Sequence, residues 1–289
     1  MPVLPDHPKT FSFAELLGHL RKPDLDSIVN EGILGSNAIM VIGGPPKSYK
    51  SFVSNTLSID LVTGYHLFSA LRKHAKQVTR AFEVRAPQRV LIFEQEIGED
   101  DMEDRLKPAY EALSLYQQDL VRTGLYTHSL DHRLQLDTPE GVNLIAEEIA
   151  RVRPSVVIFD PLIEFHTSDE NSSEDMAKIL RHLDWLREKY KFATIINHHE
   201  GKQGQVKRTG ADRLRGSSVL YGKGDTFLTL EVLNRDASLV GCKFTVRRGK
   251  PIHPFIVKLD PVTMRANFFS WGSRVKGNDK NSEGMDLIQ

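Results

Sequence analysis

Short, continuous apolar runs recur along the chain, at residues 38–42 (AIMVI), 90–93 (VLIF), 155–159 (SVVIF) and 193–196 (ATII), with a weaker one at 124–128. Between them lie segments with helical character: 51–63, 100–115, a stretch opened by Asp137-Thr138-Pro139-Glu140, and 173–190. In the third of these, Asp137 is the expected cap, Glu140 its reciprocal partner, and Pro139 sits inside the first turn. Continuous apolar strands separated by helices predict a mostly parallel sheet covered on both faces. From residue 225 the pattern changes. Runs at 226–233, 242–248, 255–259 and 265–269 are joined by Asn234-Arg235-Asp236, Gly249-Lys250-Pro251 and Asp260-Pro261. These joints leave no room for helices, so the strands are expected to extend the sheet in antiparallel fashion. At the start, residues 12–20 (SFAELLGHL) place Phe13, Leu16, Leu17 and Leu20 on one helical face. The expected organisation is an N-terminal arm and amphipathic helix over 1–31, an α/β core over 32–271, and a polar, flexible tail over 272–289.

Composition narrows the class. A chain of 289 residues, 40% hydrophobic and 26% charged, can form one large α/β domain without staples. Lys plus Arg number 38 and Asp plus Glu 38. A balanced charge argues against a surface coated by polyanion but leaves room for a local nucleic-acid site. The single cysteine, Cys242, can form no internal disulfide, and no Cys/His group has zinc spacing. A reducing, cytoplasmic setting is therefore expected. No apolar run approaches the roughly 18 residues of a membrane helix, and no signal-like apolar region opens the chain.

The first strand runs into Gly43-Gly44-Pro45-Pro46-Lys47-Ser48-Tyr49-Lys50-Ser51 and then a helix. Counted from Gly44, this matches the phosphate-loop pattern G-x-x-x-x-G-K-[ST] at Gly44, Lys50 and Ser51, and departs from it where Tyr49 replaces glycine. Such a loop binds polyphosphate through backbone N–H groups converging at a helix N-terminus. Pro45 and Pro46 have none to give, so the nucleotide-binding stretch runs from Lys47 through Ser48, Tyr49, Lys50 and Ser51 to Phe52. Lys50 would reach the β- and γ-phosphates of ATP, and the Ser51 hydroxyl would hold Mg²⁺. Tyr49 is expected to point away from the phosphates and to avoid positive φ. The competing reading is a Gly/Pro turn opening an ordinary helix.

Later strands end in chemistry-bearing residues. The run at 90–93 delivers Glu94, Gln95 and Glu96 at the ligand side of a parallel sheet, where a carboxylate can orient or deprotonate water. The run at 155–159 ends at Asp160, as a strand that delivers a magnesium-holding aspartate requires. The run at 193–196 ends in Asn197-His198-His199. Adjacent histidines on a strand point to opposite faces, which disfavours their sharing a metal.

Together these marks resemble the RecA-like ATPases, in particular the RepA-type branch of plasmid and phage replicative helicases and its AAA-labelled relatives. The marks are GGPPKSYKS (43–51), VLIFEQE followed by Arg105, VVIFDPL followed by DEN (156–171), INHHEGK (196–202), RLRGSSVL (213–220) and VRRGKP (246–251). The resemblance implies that Glu96, with Glu94 in reserve, acts on water. It implies that Asp160 binds magnesium and that His198 or His199 senses the γ-phosphate. Arg247, Arg248 and Lys250 fall where such cores carry basic residues that reach a neighbouring subunit's nucleotide. ATP would then lie between subunits of a homo-oligomer, a hexameric ring or a filament, and a helicase of this size would need loader or initiator proteins.

The stretch at 201–216 (GKQGQVKRTGADRLRG) carries Lys202, Lys207, Arg208, Arg213 and Arg215 against one acid, Asp212, and is the candidate contact for single-stranded DNA. It contains no aromatic residue for stacking. A second basic cluster, 72–80, reads equally as a solvated helix. The alternatives to a helicase are a recombination or annealing accessory that forms filaments on single strands, and a nucleotide-binding switch or scaffold with little turnover.

Overall fold

The structure is a computed structural model that describes residues 12–13, 27–68, 81–170, 172–199 and 218–272. The predicted N-terminal helix beyond Phe13, both basic clusters and the C-terminal tail lie outside the described residues.

A small two-stranded sheet joins β1 (Ser27–Val29) to β2 (Leu34–Gly35). The phosphate-loop strand β3 (Ile39–Gly44) is buried along its whole length, near the centre of a separate nine-stranded sheet. Beside it run β7 (Ala193–His199), then β6 (Val156–Asp160), β4 (Val90–Glu94) and the edge strand β5 (Leu125–Ser129), all parallel. On the other side β8 (Thr226–Asn234) is also parallel to β3. The change to antiparallel pairing comes one strand later than the sequence pattern suggests, with β9 (Leu239–Val246), β10 (Phe255–Asp260) and β11 (Arg265–Trp271). The full order is β11-β10-β9-β8-β3-β7-β6-β4-β5. The late change is due to the short helix α6 (Ser218–Lys223), which returns the chain to the starting end of β3 before β8 begins. There the Asp225 carboxylate accepts the Ile39 amide at 3.0 Å.

Alternation along β3 divides the core in two. Met40 and Ile42 join the face covered by α1 (Lys50–Thr63), α2 (Glu99–Glu111) and α3 (Leu115–Gly124). Ile39 and Val41 join the face covered by α4 (Pro139–Val152) and α5 (Ser173–Tyr190). The cap of α4 is Thr138, whose hydroxyl accepts the Gly141 amide at 3.1 Å, and not Asp137. Asp137 is engaged elsewhere: its carboxylate accepts the Thr167 amide and the hydroxyls of Thr167 and Ser168. Three donors from a distant segment outcompete one local amide.

The antiparallel strands grip the phosphate-loop helix from behind. Arg265 on β11 pairs with Asp60 on α1, and the second Asp60 oxygen accepts the Phe68 amide at 2.7 Å. Ala266 N donates to Thr56 Oγ1 at 2.9 Å. Around this joint Phe68, Phe82, Phe255, Phe268 and Trp271 pack edge-on and stacked.

Candidate nucleotide site

Tyr49, directly before α1, adopts φ 66° and ψ 26°, the left-handed conformation that the sequence argument expected it to avoid. The backbone of a phosphate loop turns left-handed at this position whichever residue occupies it. Here the ring offsets part of the penalty: half-buried, it packs edge-on against Phe52 at 6.1 Å between centroids and rests on the α1 face of the core. Lys47 also has positive φ, at 60°. Gly44 is required by close approach, since a Cβ there would lie 2.5 Å from Ser48 Oγ and 3.0 Å from the Leu230 carbonyl oxygen.

Lys50 is 6% exposed, and its ammonium donates to the carbonyls of Gly44 and Pro45, each at 3.1 Å. A cation closing the loop across its own carbonyls is poised to exchange them for a stronger anionic acceptor. The fully buried Ser48 Oγ has no partner among the described residues.

Asp160 ends β6 and is buried. Desolvation raises its pKa, while hydrogen bonds from the Asn197 and Ser51 side chains pull the other way. Ser54, one turn into α1, lies 3.5 Å from Asp160 Oδ2 and accepts Asn197 Nδ2 at 3.0 Å. The strand β7 lies between β6 and β3, so Asn197 bridges the aspartate to the loop helix. Neither Ser54 nor this role of Asn197 was singled out from sequence. The signal available was a small polar residue three positions after Ser51.

Among the described residues, no group of three or more His, Cys, Asp and Glu side chains could hold a metal ion. A magnesium ion bound here would draw on one hydroxyl, Ser51, and one carboxylate, Asp160, with nucleotide oxygens supplying the rest. That donor set suits a hard ion that keeps part of its water shell.

The two strand-end glutamates separate. Glu94 pairs in register with Asp160, is 2% exposed, and has its pKa raised to about 8 by burial and then by the Asp160 charge. One of its oxygens accepts the Glu96 amide at 2.8 Å. Glu96 itself is exposed, with His199 Nε2 at 3.8 Å. Arg105 on α2 holds the pKa values of both Glu94 and Asp160 down. His198 pairs in register with Gly43 and is buried, with its pKa lowered to about 4 chiefly by desolvation.

Arg247 and Arg248 follow β9, whose last residue, Val246, lies opposite the first of β8. Because β8 runs parallel to β3, both arginines stand at the end of the sheet remote from the chain's own phosphate loop. Both are exposed, and the Arg247 guanidinium donates to the carbonyls of Tyr221 and Gly222.

A phosphate-loop strand flanked by β8 and β7, with an aspartate-bearing strand one place further on, defines a RecA-like P-loop ATPase core. The chain matches the family model AAA_25, described as AAA domain, over residues 5–205, and it belongs to that family. Among solved structures it is similar to that of an isolated ATPase domain (12% identity, TM-score 0.58), over 90% of this chain and 99% of that one. It is likewise similar to "The Structure Of A DnaB-Like Replicative Helicase And Its Interactions With Primase" (13% identity, TM-score 0.59), over 91% of this chain and 67% of that one. No curated protein matches it. Among the described residues, no helix is long and apolar enough to cross a membrane.

Proposed function

We propose that this protein is an ATP-hydrolysing RecA-like motor that acts on single-stranded DNA, most like a RepA-type replicative helicase. The observation that carries the reading is the convergence of Lys50, Ser51, Asp160 and Glu96 from three elements around one left-handed loop at a helix N-terminus. Lys50 binds the β- and γ-phosphates of ATP, together with backbone amides between Lys47 and Phe52. Ser51 and Asp160 would hold Mg²⁺, which neutralises phosphate charge when bound. Glu96, kept in place by the Glu94 carboxyl under its amide, orients the attacking water and accepts its proton. His198, beside Gly43, senses the γ-phosphate.

The placement of Arg247 and Arg248 away from their own phosphate loop favours completion of each site by a neighbouring copy, hence a homo-oligomeric ring. Single-stranded DNA is assigned to Lys202, Lys207, Arg208, Arg213 and Arg215, in the segment after β7. The likeness to a DnaB-like replicative helicase lends the fold analogy. Loading partners and a cytoplasmic setting follow from the same reading.

Steady-state ATP turnover, measured with and without single-stranded DNA, tests the proposal. DNA should stimulate turnover, Lys50→Ala should abolish it, and log affinity for DNA should fall linearly with log salt as counterions are released. Nucleotide binding with neither basal nor stimulated turnover would instead identify a switch or scaffold.

A further inference from the structure

The adjacent histidines of β7 are divided between the two faces of the sheet. His199 turns toward Glu96, whereas His198 turns toward the segment that follows β6. His198 is 3% exposed, yet neither ring nitrogen has a hydrogen-bond partner among the described residues. Glu170 Oε1 lies 3.5 Å from His198 Nδ1 but is not aligned for a hydrogen bond, and it too is buried and unpartnered. Nearby His166 is buried, with Nδ1 3.1 Å from the Ser168 carbonyl oxygen and Nε2 without a partner. Polar atoms left unsatisfied in a protein interior are costly. Their clustering beside Gly43 marks an arrangement completed only when something else arrives.

Chemistry indicates what completes it. Burial keeps His198 neutral and pushes the Glu170 carboxyl up toward its protonated form. A neutral imidazole donates from one nitrogen and accepts at the other. If a phosphate oxygen accepts from Nε2, Nδ1 is fixed as an acceptor, and a protonated carboxyl is the donor that suits it. The segment bearing Glu170 is already suspended on its other side, where Asp137 accepts from Thr167 and Ser168. A small rotation can therefore close the Glu170–His198 contact without releasing that anchor.

We propose that Glu170 is a positioning residue that, through His198, ties the segment 166–170 to the presence of a γ-phosphate in the loop. This rests on the nucleotide reading above. The consequence is that the end of the magnesium-binding strand and the start of α5 tighten in the ATP state and relax in the ADP state.

Hydrogen exchange across residues 161–175, measured on the full chain with Mg²⁺ and a non-hydrolysable ATP analogue, tests this, with fluorescent-nucleotide binding followed in parallel. The analogue should slow exchange there about tenfold, and ADP should not. Glu170→Ala should keep nucleotide binding and lose the slowing. Glu170→Gln, whose amide can still donate to Nδ1, should retain it. Thr167→Val, which loosens the Asp137 anchor without touching His198, should also retain it. Equal slowing by ADP, slowing that survives Glu170→Ala, or equal loss in Thr167→Val overturns the inference while leaving the nucleotide site standing. Failure of the wild-type chain to bind nucleotide overturns both.

Discussion

Asn197 at the end of β7 donates to Ser54 on the phosphate-loop helix at 3.0 Å, and Ser54 in turn reaches the Asp160 carboxylate at 3.5 Å. The magnesium aspartate is thereby fixed by two neighbours that do not themselves touch the metal position. Outer partners of metal ligands are worth about 10–100-fold in affinity or activity when removed. Asn197→Ala should lower ATP turnover by that order and raise the Mg²⁺ concentration needed for half-maximal rate. Ser54→Ala should do the same, and the double variant should lose less than the product of the two. A multiplicative double variant would show the residues acting independently.

Tyr49 stands left-handed where its motif has glycine, at a cost on the order of 1–2 kcal/mol for a residue with a Cβ. Tyr49→Ala and Tyr49→Gly lose the same contact with Phe52, but only glycine relieves the backbone. The glycine variant should therefore be the more stable by about 1 kcal/mol in urea unfolding, against the usual glycine penalty. The opposite order would mean that the loop is not left-handed in solution.

Glu94 is buried against Asp160, and its pKa of about 8 exceeds the ordinary value of 4.5. The folded state therefore favours the protonated form. Its contribution is fully present below the ordinary value and is lost as pH rises through 8, because the unfolded chain ionises freely. In nucleotide- and metal-free protein, Glu94→Gln should raise the melting temperature at pH 8.5, with the gain vanishing near pH 4.5. Each kcal/mol relieved corresponds to about 2–4 °C for a chain of this size. A gain independent of pH would place the carboxyl in water.

Arg248 stands at the far end of the sheet from Lys50. Lys50→Ala and Arg248→Ala should each be inactive alone. Mixed in equal amounts, they should regain about a quarter of wild-type turnover, because random assembly then joins an intact lysine to an intact neighbouring arginine at that frequency. No recovery at any ratio, with assembly intact, would reject completion by a neighbour.

Much of this architecture was legible in the chain. The run VVIFD gave a buried strand ending in Asp160, and the segment at 173–190 forms a helix over those same residues, because apolar period and caps agree there. What could not be read was partnership across long separations. Ser54 meets Asn197 across 143 residues, and Asp137 is claimed by Thr167 and Ser168 some thirty residues on, so the local capping rule failed. The parallel sense of β8 escaped for a similar reason, since α6 is only six residues long and gives a weak periodic signal. The backbone of Tyr49 was misjudged because side-chain preference was weighed above the turn that the loop demands.

The central position of β3 carries a consequence for biosynthesis. Its partners in the sheet, β7 and β8, begin only at Ala193 and Thr226, and the Arg265 that neutralises Asp60 comes later still. A ribosome must therefore release most of the polypeptide before the phosphate loop gains a sheet to stand on. Until then the apolar run of β3 is a hazard for nascent chains, and the assembly of the nucleotide site is among the last events of maturation.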